Sequence, residues 1–248
     1  MLAAYSLFSC IAVIPAVLSL ACGGSNPRPA TAPNPQLDPI RSFVADRQVI
    51  YVHVTPTVTA GDSVSPSKPF GVVEPIPAVT SERHQDLLRV ARQFYDQGRY
   101  LDAVQPLRQA LADEPDNPFF LNEYARTLFR IDSLRPASGR AYEQLVKILT
   151  DRQSPPPNAL VVDMWFIDAY WKLGLLYLDV GEYAKAFVEF AKVSVARPSD
   201  AVMLEQLYGY LAEACFHLSE HAATDWFISK TLEINPQNRY VLQFRTPR

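Results

Sequence analysis

The sequence is poor in cysteine, carries no excess of positive charge, and holds one long uncharged apolar run. Three cysteines occur in 248 residues. Cys10 and Cys22 lie in or beside the apolar run, so Cys215 stands alone in the body and no intrachain disulfide framework can form. Lysine and arginine total 23 against 26 acidic residues, a net charge of −3, which lacks the basic surplus of a nucleic-acid binder. No G-x-G-x-x-G, P-loop or serine–histidine–aspartate set in a recognisable context is present, so no nucleotide cofactor or hydrolytic triad is indicated. His217-Leu-Ser-Glu220-His221 has the H-x-x-E-H spacing of a zinc-binding helix. It straddles an expected turn instead of a helix interior, so no metal is expected there. Cys215 sits at a packing position and reads as a buried thiol, not a nucleophile.

What is present divides the chain in two. Residues 1–80 hold 11 of the 21 prolines, which denies that stretch the backbone donors a packed helical domain needs. After Ser81 the prolines separate long helical patterns. The apolar content of 48% is enough for a globular core there.

Leu2 to Ala21 carries no charge and, if helical, reaches about 30 Å, enough to span a bilayer. Three readings compete. An uncleaved signal anchor is weakened by Pro15 and by several serines and alanines, and a secretory signal cleaved after a small residue also fits. The third rests on Leu18-Ser19-Leu20-Ala21-Cys22, which resembles the lipobox of bacterial lipoproteins. That resemblance implies that the Cys22 thiol is acylated and that Cys22 begins the mature protein. Two features depart from the pattern: Ser19 stands where leucine is commonest, and Met1–Ser6 contains no lysine or arginine. The adopted division is a lipoprotein signal peptide over 1–21 and a Pro-rich, mostly disordered tether over 22–80. Within the tether, 47–55 is β-branched and aromatic and reads as a short strand, either lying along the domain or offered to a partner's sheet edge.

From Ser81 the sequence repeats. Tyr170, Leu173, Gly174 and Tyr177 are followed by Ala186, Phe190 and Pro198. The same spacing recurs as Leu87, Val90, Ala91, Phe94, Ala103, Leu107 and Pro115, and as Tyr208, Leu211, Ala212, Cys215, Thr224, Ile228 and Pro236. Leu121, Tyr124, Ala125 and Leu128 begin a further copy, which continues through Ala141, Leu145 and Ile148 only with an insertion. This pattern resembles the tetratricopeptide repeat (TPR) signature W-x-x-L-G-x-x-Y…A-x-x-x-F…P. The resemblance implies an all-α, right-handed solenoid of about four helix-turn-helix units, near 84–117, 118–153, 167–200 and 205–238, within a domain spanning 81–248. Asn158–Phe166 falls outside the repeat and is expected to extend the next helix or form a short turn. Met164-Trp165-Phe166 there is extra core or an exposed docking patch. Tyr240, Leu242 and Phe244 are placed to cap the last unit.

In TPR proteins the first helices of successive units line a concave groove that holds a partner segment. The positions that fall on that face are Arg92, Tyr95, Asn122, Arg126, Phe129 and Arg130, then Trp171, Leu175, Leu178 and Phe216. Arg126 and Arg130 are four apart and should project together. They suggest an anion-preferring pocket beside an apolar groove, or solvated arginines paired with neighbouring acids. The whole reads as a non-enzymatic adaptor or assembly scaffold. It needs no cofactor, contacts the membrane through a lipid at Cys22, and binds another protein of the bacterial envelope. The expected location is the outer membrane, facing the periplasm. Two alternatives are an envelope enzyme or its accessory subunit, for which no polar cluster is evident, and a signal-anchored adaptor facing the cytosol.

Overall fold

The computed structural model describes residues 38–53 and 81–245 apart from positions 197 and 199. The leader, Cys22 and most of the expected tether lie outside the described residues. Helix α1 (Pro39–Val44) and strand β1 (Val49–Val52) come first. Four antiparallel helix pairs follow: α2 (Glu82–Asp96) with α3 (Tyr100–Asp113), and α4 (Pro118–Phe129) with α5 (Arg135–Asp151). Strand β2 (Leu160–Asp163) precedes α6 (Ile167–Asp179) with α7 (Tyr183–Val195). The fourth pair is α8 (Ala201–His217) with α9 (His221–Ile234), and the short α10 (Arg239–Leu242) ends the order.

The repeated small residues are where helices approach most closely. Ala91, Ala103, Ala125, Ala186 and Ala212 are all buried. A Cβ on Gly174 would lie 2.7 Å from the Phe190 ring, so only glycine fits between α6 and α7 at that point. Gly98 and Gly181, with φ of 72° and 78°, end the first helices of units one and three in the left-handed region. The next residue's amide then reaches back to a carbonyl five positions earlier, Arg99 to Phe94 at 2.9 Å and Glu182 to Tyr177 at 2.8 Å. In unit four Ser219 takes the same role at φ 63°. In unit two the insertion replaces this turn with a 3-10 segment, Asp132–Leu134. Side-chain caps start α4 at Asn117 and α8 at Asp200, where carboxamide or carboxylate oxygens accept first-turn amides. Pro106 does not separate elements: it lies inside α3, buried.

Large side chains interlock the pairs. Phe120, from unit two, fills the space among Leu88, Ala91, Leu107 and Ala110 of unit one. Tyr142, Leu145 and Leu149 on α5 pack with Phe166, Ala169 and Leu173, joining units two and three. Phe187, Phe190, Leu207, Leu211 and Phe227 join units three and four. At the end, Val241 and Phe244 are buried against the last pair while Leu242 stays 40% exposed, so the expected cap uses Tyr240 and Phe244 but not Leu242.

A small sheet bears on two expectations. The strand expected over 47–55 is present but shorter, and it lies along the domain, paired in parallel within the chain, Val49 opposite Leu160 through Val52 opposite Asp163. Asn158–Phe166 is not a helix extension. Leu160–Asp163 is a fully buried strand, and only Met164–Phe166 makes a 3-10 turn into α6. Ser154-Pro-Pro-Pro forbids helix just before it, and the buried backbone of Leu160-Val161-Val162 then needs a hydrogen-bonding partner, which β1 supplies.

The tether is therefore packed over 38–53. The Asp38 carboxylate accepts the Ile40 and Arg41 amides to start α1. Ile40 is 6% exposed within the core of units three and four, and Phe43 meets Phe187 edge-on at 5.2 Å. The Tyr51 hydroxyl donates to the Val195 carbonyl at 3.2 Å. His53 ends the arm with Nδ1 2.9 Å from the buried Asp163 carboxylate and its ring stacked on Trp165 at 3.8 Å. Trp165 is thus partly covered by the arm, and Phe166 is core.

Candidate functional site

The first helices α2, α4, α6 and α8 stack side by side, and side chains at matching positions meet across each joint. Between α2 and α4 one carboxylate holds two guanidiniums: Glu123 accepts from Arg92 at 3.2 Å and from Arg126 at 2.8 Å. Arg126 also lies over the Tyr95 ring at 4.5 Å. Arg130 donates to the Tyr100 hydroxyl at 3.0 Å and covers that ring at 5.2 Å. Tyr95 and Tyr100 are themselves edge-to-face at 5.1 Å, so the two arginines do sit side by side, each on one ring of a tyrosine pair. No carboxylate approaches Arg130 within ion-pair distance among the described residues, so this joint keeps a surplus of cations.

Burial alone would lower the Arg126 pKa, but Glu123 and then Tyr95 outweigh it and hold the guanidinium above its ordinary value. Burial raises Tyr95, against the opposing pull of Arg126 and Arg130. Behind Arg126 lies Tyr142, wholly buried and pushed well up, first by burial and then by Asp168. The Tyr142 hydroxyl, Arg126 Nε and Asn122 Oδ1 are buried with no hydrogen-bond partner among the described residues.

Between α4 and α6 the ring of Phe129 is covered by two cations, Arg135 at 4.7 Å and Lys172 at 5.2 Å. Each of those cations also has a carboxylate, Asp179 for Arg135 at 3.1 Å and Asp168 for Lys172 at 3.6 Å. Trp171 is only 8% exposed, edge-on to Phe190 at 6.0 Å and Tyr210 at 5.8 Å, so it lines the floor and offers little surface. Leu175 and Leu178 are half-buried beside it. Phe216 packs on Phe244 at 5.5 Å, so the C-terminal cap takes part of its face. Tyr240 of the same cap packs on Gly209 and Tyr210 and donates to Glu213. At the other end, Leu88, Arg89, Arg92 and Asp96 line an open depression of about 690 Å³.

Sequence reasoning missed the acids of this face and the side chains that support it from behind. Glu123, Asp168, Lys172, Arg135 and Tyr142 do not figure among the expected residues. Glu123 lies three positions before Arg126, and Lys172 three before Leu175, so the same periodicity could have found them. Tyr142 could not be found that way, because it reaches the site from a second helix. Elsewhere, Cys215 is buried and its thiol is pushed far up by burial. His217 stacks on Tyr183 at 4.1 Å, and the positive φ of Ser219 separates it from His221 by a turn.

No protein-family model and no curated protein matches the chain. Solved structures do. One titled "MamA RS-1 ArsTM double mutant" aligns at 15% identity and a TM-score of 0.52, covering 65% of this chain and 81% of that one. A crystal structure of MamA protein aligns at 16% identity and a TM-score of 0.51, covering 66% and 79%. A thermophilic TPR protein of Thermus thermophilus aligns at 18% identity over 65% of this chain and 96% of that one, with a TM-score of 0.31. At such identities the MamA likeness bears on the fold alone. With the repeat spacing and the stacked helix pairs, it makes this chain a TPR-like α-solenoid.

Proposed function

We propose that the chain is a non-enzymatic adaptor, anchored by a lipid on Cys22 in the bacterial cell envelope, that holds a segment of another envelope protein in its concave groove. The observation that carries this reading is the continuous inner face of α2, α4 and α6. There, cations, tyrosine rings and half-buried leucines lie in one strip that no described residue fills. Large interlocking side chains hold the helices that present the strip, as a recognition surface on a rigid support requires. The anchor rests on the lipobox-like Leu18–Cys22, and residues 23–37 separate it from the packed arm that begins at Asp38.

Two measurements test the two halves of the proposal. Mass spectrometry of the mature N-terminus should find an acylated Cys22. An unmodified N-terminus or an uncleaved leader sinks the lipoprotein assignment. A photo-crosslinker placed at Leu178 on the groove should trap one discrete partner from detergent-solubilised envelopes. The same label at Gln105, exposed on a second helix, should not. Equal trapping at both sites removes the groove from the function.

A further inference from the structure

The helices that line the groove are electrically lopsided along the solenoid. Helices α2 and α4, with the Arg130 that ends α4, carry five arginines against four carboxylates. Helices α6 and α8 carry a single lysine, Lys172, against four carboxylates, and α8 has neither lysine nor arginine. The contacts sharpen this split. Near the start, Arg92 and Arg126 share one carboxylate, and among the described residues Arg130 bonds only to Tyr100. In the middle, Lys172 and Arg135 are each matched by an aspartate, and at the far end Glu213 receives only the Tyr240 hydroxyl among the described residues. Apart from those matched pairs the middle of the strip is apolar, with Leu175, Leu178 and the edge of Trp171.

We propose that the partner segment carries charge in the complementary order: carboxylates at the end that lies over α2 and α4, an apolar middle over α6, and a basic end over α8. Opposed potentials of this kind steer encounter and fix register more than they add affinity. Reversing the segment would set like charges against each other at both ends, so the groove reads direction. The half-exposed Arg126 and the exposed Arg130 are the donors that a carboxylate competing with Glu123 would meet at the cationic end. Neighbouring helices pack about 8–10 Å apart, so the three steps from α2 to α8 span about 24–30 Å. An extended chain covers that distance in about seven to nine residues.

This inference rests on the groove being the binding surface, and the experiment separates the two claims. Random peptides of about twelve residues, longer than the groove requires, are displayed and selected against the full chain. The enriched sequences are then synthesised with a benzophenone and crosslinked. The expected peptides are acidic at one end and basic at the other, and crosslink to α2, α4, α6 or α8. They should lose about tenfold in affinity with either Arg130→Gln or Glu213→Gln, and about as much again when salt rises from roughly 50 to 300 mM. Both positions are accessible enough that these variants fold, which the unchanged thermal midpoint checks. Enriched peptides that crosslink to the groove without the charge order, or that ignore both substitutions, overturn this inference and leave groove binding standing. Peptides that crosslink only elsewhere, or no enrichment at all, overturn both.

Discussion

Units one and three follow the same spacing, yet the chain supports them very differently. Among the described residues, unit one is closed by Leu88, Ala91, Leu107 and Ala110 around one inserted ring, Phe120. Unit three shares its core with unit four and also receives Ile40, Leu160 and Val162 from the arm and its partner strand. In a solenoid each unit touches only its neighbours, so local stability follows the quality of each joint. Unit one is the loosely held end, and it carries the depression and half of the cationic strip. Unit three is the fixed platform. A groove assembled from both can adjust at its basic end while its apolar floor stays in place.

The largest test of that contrast is Phe120→Ala. Phe120 is fully buried and is the only fully buried side chain from unit two in the core of unit one. Truncating it should destabilise the chain by about 3–5 kcal/mol. Hydrogen exchange should show α2 and α3 losing protection while α6 to α9 keep theirs. Uniform loss along the whole chain would mean that unit one is not a separable end.

Next comes the arm. Ile40→Ala removes buried methyls from the core of units three and four and should destabilise by about 2–3 kcal/mol. The loss of exchange protection should appear in β2 and α7, with α2 and α3 untouched. If the two ends respond together, the arm is not what distinguishes them.

Much of the solenoid was legible because its signal is local and periodic. Ala91, Ala103, Gly174, Ala186 and Ala212 mark the close approaches, and glycines with positive φ mark two of the turns. One strand was legible over 47–55, but its pairing was not, because β2 lies far away in the chain and reads alone as a short apolar run. Leu160-Val161-Val162 could equally begin a helix, and only pairing with the arm decides it. The site was half legible for the same reason. Arg92, Arg126 and Arg130 lie on one predictable face, but that Arg92 and Arg126 share Glu123, and that Tyr142 lies behind, depends on how two helices and a third meet.

Two buried tyrosines should respond differently to loss of the hydroxyl. At the joint of units two and three the Tyr142 hydroxyl has no partner among the described residues, so Tyr142→Phe should leave stability unchanged or raise it by about 1 kcal/mol. In unit three the Tyr170 hydroxyl accepts the Asp163 amide at 3.0 Å, so Tyr170→Phe should lower stability by about 1–2 kcal/mol. Burial raises both phenols above the ordinary tyrosine value. A raised acid keeps its neutral form in the fold, so this contribution is complete below about pH 10 and is lost as pH rises from there toward the folded value. Phenolate absorbance should therefore rise in two phases, exposed tyrosines first and these two only with alkaline unfolding. A single phase, with the helical circular dichroism signal intact, would contradict their burial.

The smallest effect concerns the turns. Units one and three end their first helices on Gly98 and Gly181, whereas unit four places Ser219 at φ 63° in the equivalent turn, with Glu220 bonded back to Cys215 at 2.9 Å. A side chain in the left-handed region is strained, and glycine removes that strain while adding freedom to the unfolded chain. The balance favours Ser219→Gly by about 0.5 kcal/mol, whereas Gly181→Ala should cost about 1 kcal/mol at its equivalent place. Denaturant midpoints moving in opposite directions would establish that the three turns are one device built from different residues. Midpoints moving the same way would mean that Ser219 is held by contacts its glycine counterparts do not need, and that unit four closes by a different rule.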